Sequence, residues 1–500
     1  MEKILALFSR LIVAVSGRAS DTMSLEKIRF ILQGAVVASI FIVVFFYLYY
    51  RYFWHNQMLR KLFWVCIGVN FFLISAKFVL SHFIASYITD RMLFFALPSP
   101  RIKSFGAVIV AILLFILFLK LRPKIEQLGR AWFAISLGLF FTVFSLTVAY
   151  IRDGVQGIID PFTRIFWEYT GALPLVWKLG ITRFISEYGQ LIPQLPQHPG
   201  THPPGYVVFL YSAQWLFHLG YLGLAVLIVL LSGATIGLLY YFWESIFSSH
   251  VARRMAEVLV FVPSLVFYSA TSLEAFNFVI IWLTIVLCYF GWRKNIWLSF
   301  LGGIGAAYAL FCNYLFVLLA PFFVIFLIIE LRSAAEAMKR RVAIRIAASG
   351  FTFALSFALL RVFLHYSLIG NFFAGYEFYK SFAINNFESV GIYLSFVLLN
   401  LIPFIWHLGM PTVFYLVRDA KRTFIASNWW FKAGVIMWFC FVFIGLFQGE
   451  VERIWLFLMP FFLMYRSPLY TEANPEEFNA ALSLIFFQIM IVQILFYTYW

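Results

Sequence analysis

The amino-acid sequence predicts an all-α polytopic membrane protein, and three observations carry that expectation. Hydrophobic residues fill 63% of the 500 positions and charged residues only 12%, a balance outside ordinary soluble usage. Apolar runs recur at close to the roughly 20 residues that cross a bilayer as helix. Basic residues gather between runs, most densely at Arg332, Lys339, Arg340, Arg341 and Arg345, as cytoplasmic helix ends do.

Residues 1–20, MEKILALFSRLIVAVSGRAS, pair a charged start with a short apolar core broken by Arg10. That pattern fits an amphipathic interfacial helix better than a cleaved leader. Spans are then expected near 30–50, 61–83, 104–121, 131–150, 220–243, 272–292, 314–331, 341–363, 391–408, 430–448 and 481–500. Shorter apolar segments at 206–218, 251–268, 296–312 and 453–466 bring the expectation to about 11 to 15 transmembrane helices. The four cysteines, Cys66, Cys288, Cys312 and Cys440, lie in or beside apolar runs and suggest neither a disulfide framework nor a metal site. The net charge of +15 reads as topology rather than as nucleic-acid binding.

Residues 151–205 form the longest polar stretch, and unstructured loops beyond about 15 residues are uncommon unless functional. With 332–345 taken as cytosolic and this loop as exoplasmic, an odd number of crossings must separate them. Six segments can be counted, so one short segment, 206–218 or 251–268, is expected not to cross fully. Within the loop, IFWEYTGALPLVWKLGITRFISEYG mixes apolar and charged residues at helical spacing, with Trp167 and Trp177 suited to the interface, which predicts one or two helices on the bilayer surface.

Acidic residues are scarce, yet Asp153, Asp160, Glu168 and Glu187 all fall in this loop. A carboxylate there can act as general base toward an alcohol, or can simply pair with Arg164 or Arg183. The loop ends in QLIPQLPQHPGTHPPG, residues 190–205, with five of the chain's seventeen prolines. His198 and His202 are four apart on backbone expected to be non-helical, so a shared metal is disfavoured; His202 is expected to donate hydrogen bonds to a ligand oxygen. Pro203 and Pro204 are expected in the first turn of the next helix, where proline is tolerated.

These residues resemble a family. A long loop with acids near its start, followed by THPPG at the start of a helix, is similar to the GT-C glycosyltransferases, polytopic enzymes that use polyprenyl-phosphate sugars. The HPP element resembles that of the protein mannosyltransferase branch. SLEAFNFVII through YLFVLLAPFFVI resembles the family's block of an acidic residue at a helix start followed by helix, basic turn and Gly-rich helix. GEVERIWLFLMPFF resembles its late Arg-Tyr helix. The chain departs from the pattern in lacking adjacent Asp-Glu and in carrying Ile454 after Arg453.

The resemblance covers roughly 131–466 and implies a GT-C-like core with a long exoplasmic catalytic loop at 151–205. Residues 1–130 would hold the interfacial helix and about three further spans, and 467–500 a loop and a last span. It implies transfer of a sugar from a polyprenyl-phosphate donor to a lipid, glycan or protein acceptor at the exoplasmic face of the plasma (inner) membrane. Asp160 or Glu168 would be the base, with His202 as the third catalytic residue. Substrate would be held by His198, Thr201, Pro203, Pro204, Arg453, Glu452 and Glu274, without metal or cofactor. Arg453 paired with Glu450 or Glu452, and Glu274 merely stabilising a helix start, are the plainer alternatives. Segment 364–390 either covers an acceptor groove or lies at the interface. A transporter or lipid flippase, and a noncatalytic assembly subunit, are the competing classes; no internal repeat favours transport.

Overall fold

The computed structural model describes residues 25–83, 96–418, 420, 424–425 and 427–498, and the interfacial helix expected over 1–20 lies outside them. Within the described residues nine helices are long and apolar enough to cross a membrane: Gln57–Ser81, Phe105–Ile125, Arg130–Asp153, Tyr221–Glu244, Glu274–Arg293, Tyr314–Ser333, Glu336–Leu364, Val390–His407 and Pro475–Leu495. Shorter apolar helices occupy Ser39–Phe53, Ile296–Cys312 and Trp429–Phe443. The only pairing of strands among these residues joins Leu97–Pro98 antiparallel to Phe496–Tyr497. The protein is therefore all-α and built to lie in a membrane.

Packing sets which helices are central. Arg130–Asp153 lies against Tyr221–Glu244, which meets Glu274–Arg293; that helix packs on Ile296–Cys312, and the latter on Glu336–Leu364. Pro475–Leu495 returns from the far end of the chain to pack on Arg130–Asp153 and Gln57–Phe83. Glu274–Arg293 and Pro475–Leu495 are mostly buried in protein, whereas Glu336–Leu364 faces outward along most of its length. Glycine permits the tightest crossing: a Cβ on Gly138 would lie 2.7 Å from the Gly233 carbonyl oxygen, and one on Gly233 would lie 2.5 Å from that of Gly138. Such small-residue contacts let membrane helices approach closely.

Helix Gly205–Phe217 has 13 residues, about 20 Å of rise, too short for a hydrocarbon core of about 30 Å. Ser249–Val260 and Pro263–Thr271 form a broken pair that together are long enough. Counted with the shorter Ile296–Cys312 and the broken pair, the spans Tyr221–Glu244, Glu274–Arg293 and Tyr314–Ser333 give five segments between loop 151–205 and 332–345, the odd number the charge pattern requires. The two regions lie at opposite ends of the bundle, and of the two segments expected not to cross, the 206–218 helix is the shorter.

The loop itself is a chain of short helices, at Val155–Thr163, Leu173–Leu179, Ile181–Ser186 and Tyr188–Leu191. The one or two longer surface helices expected there are interrupted by Gly180, whose φ of 75° a helix does not accommodate.

Candidate active site

His198 is on a single helical turn, Gln197–Thr201, where an irregular strand was expected. Proline at 199 falls in the first turn, where its missing N–H has no partner to lose. The turn is packed from outside by helix Leu368–Lys380: a Cβ on Gly200 would meet Phe378 Cε1 at 2.6 Å. Pro203 and Pro204 are buried and precede the next helix, which starts at Gly205. There a Cβ would sit 2.5 Å from the Phe311 carbonyl oxygen, so glycine lets the helix start press against Ile296–Cys312.

The turn forms one wall of a cavity of about 720 Å3. His198, Thr201 and His202 line it beside Glu274, Asn313, Glu450 and Arg453, while Leu315, Val317, Ile369, Phe372 and Phe373 make an apolar side. Segment 364–390 thus supplies a cavity wall through its helix Leu368–Lys380.

Glu168 is buried and its Oε2 is 3.1 Å from His198 Nδ1. The His198 backbone N–H donates to the Trp167 carbonyl at 3.0 Å, fixing the two segments against each other. Burial opposes charge on both side chains, yet each stabilises the other: His198, helped by Arg453, holds the Glu168 carboxyl below its usual range, and Glu168 lifts the His198 imidazole above its own. Arg453 pairs with Glu450, one of its two expected partners. Glu274 is buried, and its Oε2 has no hydrogen-bond partner among the described residues.

His202 corrects an expectation. Its Nδ1 is 3.0 Å from the His198 carbonyl oxygen and 3.0 Å from Thr201 Oγ1. A carbonyl only accepts, so the proton sits on Nδ1 and the remaining ring nitrogen carries the lone pair. Burial, with the neighbouring His198, pushes its pKa down to about 4. At neutral pH His202 is therefore an uncharged ring whose Nε2 accepts a hydrogen bond, the reverse of the donor role expected.

The remaining site residues are distributed unevenly. Asp160 is off the cavity wall, where Tyr497 donates to its Oδ2 at 2.6 Å and Arg164 pairs with it. Asp153 pairs with Arg101 at 2.9 Å and Glu187 with Arg183 at 2.8 Å. Thr201 lines the cavity, but its hydroxyl is also spent on the Gln197 and His198 carbonyls. Pro203, Pro204 and Glu452 are buried and do not line the cavity, so they support the wall rather than touch its contents. The cavity residues not anticipated include Asn313, Gln448 and the Tyr376 and Tyr379 rings. Of these only the aromatic density of 364–390 left a mark in the sequence. Among the described residues no group of three or more His, Cys, Asp or Glu gathers as a metal site.

Comparison with protein families, with curated proteins and with solved structures finds no match for this chain. The class that fold and site define is an all-α membrane protein with a cavity, part cationic and part apolar, at one end of its helical bundle.

Proposed function

We propose that the protein is a GT-C-type glycosyltransferase that moves a sugar from a polyprenyl-phosphate donor to a hydroxyl acceptor at the exoplasmic face of the plasma membrane. The observation that carries this reading is the convergence of the His198–His202 turn, Glu274 and Arg453, far apart in sequence, on one cavity with an apolar side, with Glu168 off the cavity wall behind His198. A lipid-phosphate sugar demands that combination: a proton acceptor, a fixed cation, and room for hydrocarbon.

In the proposed step the acceptor oxygen attacks the anomeric carbon. Its proton passes to the His198 ring, whose other nitrogen faces Glu168. The bond from the anomeric carbon to the phosphate oxygen breaks, and its electron pair leaves on a phosphate held by Arg453. His202 Nε2 accepts a hydrogen bond from a sugar or acceptor hydroxyl and so orients it. Asp160, occupied by Arg164 and Tyr497, serves as a brace for the loop, which leaves Glu168 as the carboxylate of the reaction.

Mass spectrometry of lipid-linked sugars in cells with and without the protein tests the reading. One polyprenyl-phosphate sugar should accumulate on deletion. Unchanged lipid-linked sugars and glycans, with loss of a transported solute instead, would overturn it.

A further inference from the structure

A second cleft, of about 560 Å3, lies on the other side of the turn that carries Glu168, within the roughly 300–1,000 Å3 of small-molecule sites. Phe166 and Thr170 line it, whereas Glu168 between them is turned to His198. The turn is closed tightly, since a Cβ on Gly171 would lie 1.8 Å from the Ile165 carbonyl oxygen. The two cavities therefore share a wall without merging. Their rims are consecutive in the chain: Gln194, Leu195 and Pro196 border the second, Gln197 and His198 the first.

The second cleft has a chemistry of its own. No Lys, Arg, His, Asp or Glu lines it. It presents the rings of Phe166, Trp177 and Tyr221 together with the carboxamides of Gln194 and Gln214. Trp177 keeps 51% of its surface exposed while its ring is set against Tyr211 at 4.6 Å between centroids, so its plane is held in place and open. Neither carboxamide is hydrogen-bonded to a described residue. Each offers two donors and an acceptor, and a ring face beside it offers an apolar plane with a partial negative charge.

We infer that this cleft binds an uncharged saccharide unit of the acceptor. Pyranose rings present one face of C–H bonds, which suits an aromatic plane, and a rim of hydroxyls that both donate and accept, which suits carboxamides. A phosphate would find no cation here, and an acyl chain would leave both carboxamides without partners. An oligosaccharide laid across the Pro196–Gln197 crest puts its reacting unit in the cavity with His198 and a further unit in this cleft. The identification of that saccharide as the acceptor rests on the transferase reading; the binding itself does not.

The test uses the full chain in lipid nanodiscs free of glycosidic detergent. Saturation-transfer NMR is recorded with maltose, cellobiose, lactose and α-1,2-mannobiose, with inorganic phosphate as the charged control. At least one disaccharide should give a saturable signal and phosphate should not compete with it. Trp177→Ala should weaken that binding by about tenfold, the worth of an aromatic contact, and Gln194→Leu and Gln214→Leu by about fivefold each. Gln194 is at an exposed position, so its variant keeps the test alive if another fails to fold. No saturable signal from any of the four sugars, or a signal indifferent to Trp177→Ala and Gln194→Leu, overturns the site. Quenching of Trp177 by brominated acyl chains, unrelieved by any disaccharide, would assign the cleft to lipid and likewise overturn it. A protein that binds the sugar but transfers nothing retains the site and sinks the transferase alone.

Discussion

At the end of the bundle away from the cavity, Arg122 bonds Glu126 at 2.6 Å and approaches Glu257 at 3.4 Å, and Arg254 donates to the carbonyls of Leu469, Tyr470 and Ala473. Nearby Arg293 grips Glu330 at 2.6 Å, and Arg345 caps the carbonyls of Arg293 and Lys294. These cations are spent on tying helix ends together. At the cavity end the arrangement differs: Arg453 and Glu450 form a pair on an open wall, Glu274 keeps an unpartnered oxygen, and His202 keeps a ring nitrogen free of protein. Buried charge is costly unless paired, so polar groups left available around a space are the ones to ask for a ligand. The same comparison separates two acids of one loop, Asp160 closed by Arg164 and Tyr497, and Glu168 coupled to a cavity histidine.

The contrast between ends is broken outright if they prove to lie on one side of the membrane. Cysteine at Gln190 should label only from outside and at Ala337 only from inside; labelling of both from one side would remove it. Next in size is the difference between the two acids. Glu168→Gln should lose on the order of 100-fold or more in turnover with thermal stability near that of the parent, as loss of acid–base catalysis does. Asp160→Asn should lose much less, and equal losses would dissolve the distinction.

At the closed end, Glu257→Gln should act the other way. Arg122 keeps its bond to Glu126, so loss of the longer contact to Glu257 costs on the order of 1–3 kcal/mol, read as a lowered unfolding temperature, with turnover per folded molecule retained. The smallest effect is a shift in pH dependence. Glu168 raises the His198 pKa, so the neutral ring that accepts a proton gains population only above the ordinary value of about 6.5, and the rate should climb with pH through that region. In Glu168→Gln the lift is gone while burial remains, so the acid limb should move to lower pH as the plateau falls. An unmoved limb would show that His198 is not the titrating group.

Much of this was legible in the amino-acid order. Apolar runs define most spans because length and hydropathy are local properties. The cluster at 198–202 stood out by proline density, and Arg453 by being a charge at a membrane boundary. What could not be read was the ring tautomer of His202, since it depends on the His198 carbonyl brought over by an unforeseen helical turn. Nor could the sequence show that Asp160 meets Tyr497, 337 positions away.

The sequence by itself determined an all-α membrane protein, its long polar loop and the residue types available for chemistry, because hydrophobicity and proline act where they stand. Tertiary structure alone decided which of those residues share a cavity, which are spent on bracing, and that a second, uncharged cleft backs onto the first. Those outcomes depend on contacts across hundreds of residues, set by how helices pack around Glu274–Arg293 and Pro475–Leu495, and no local pattern encodes them.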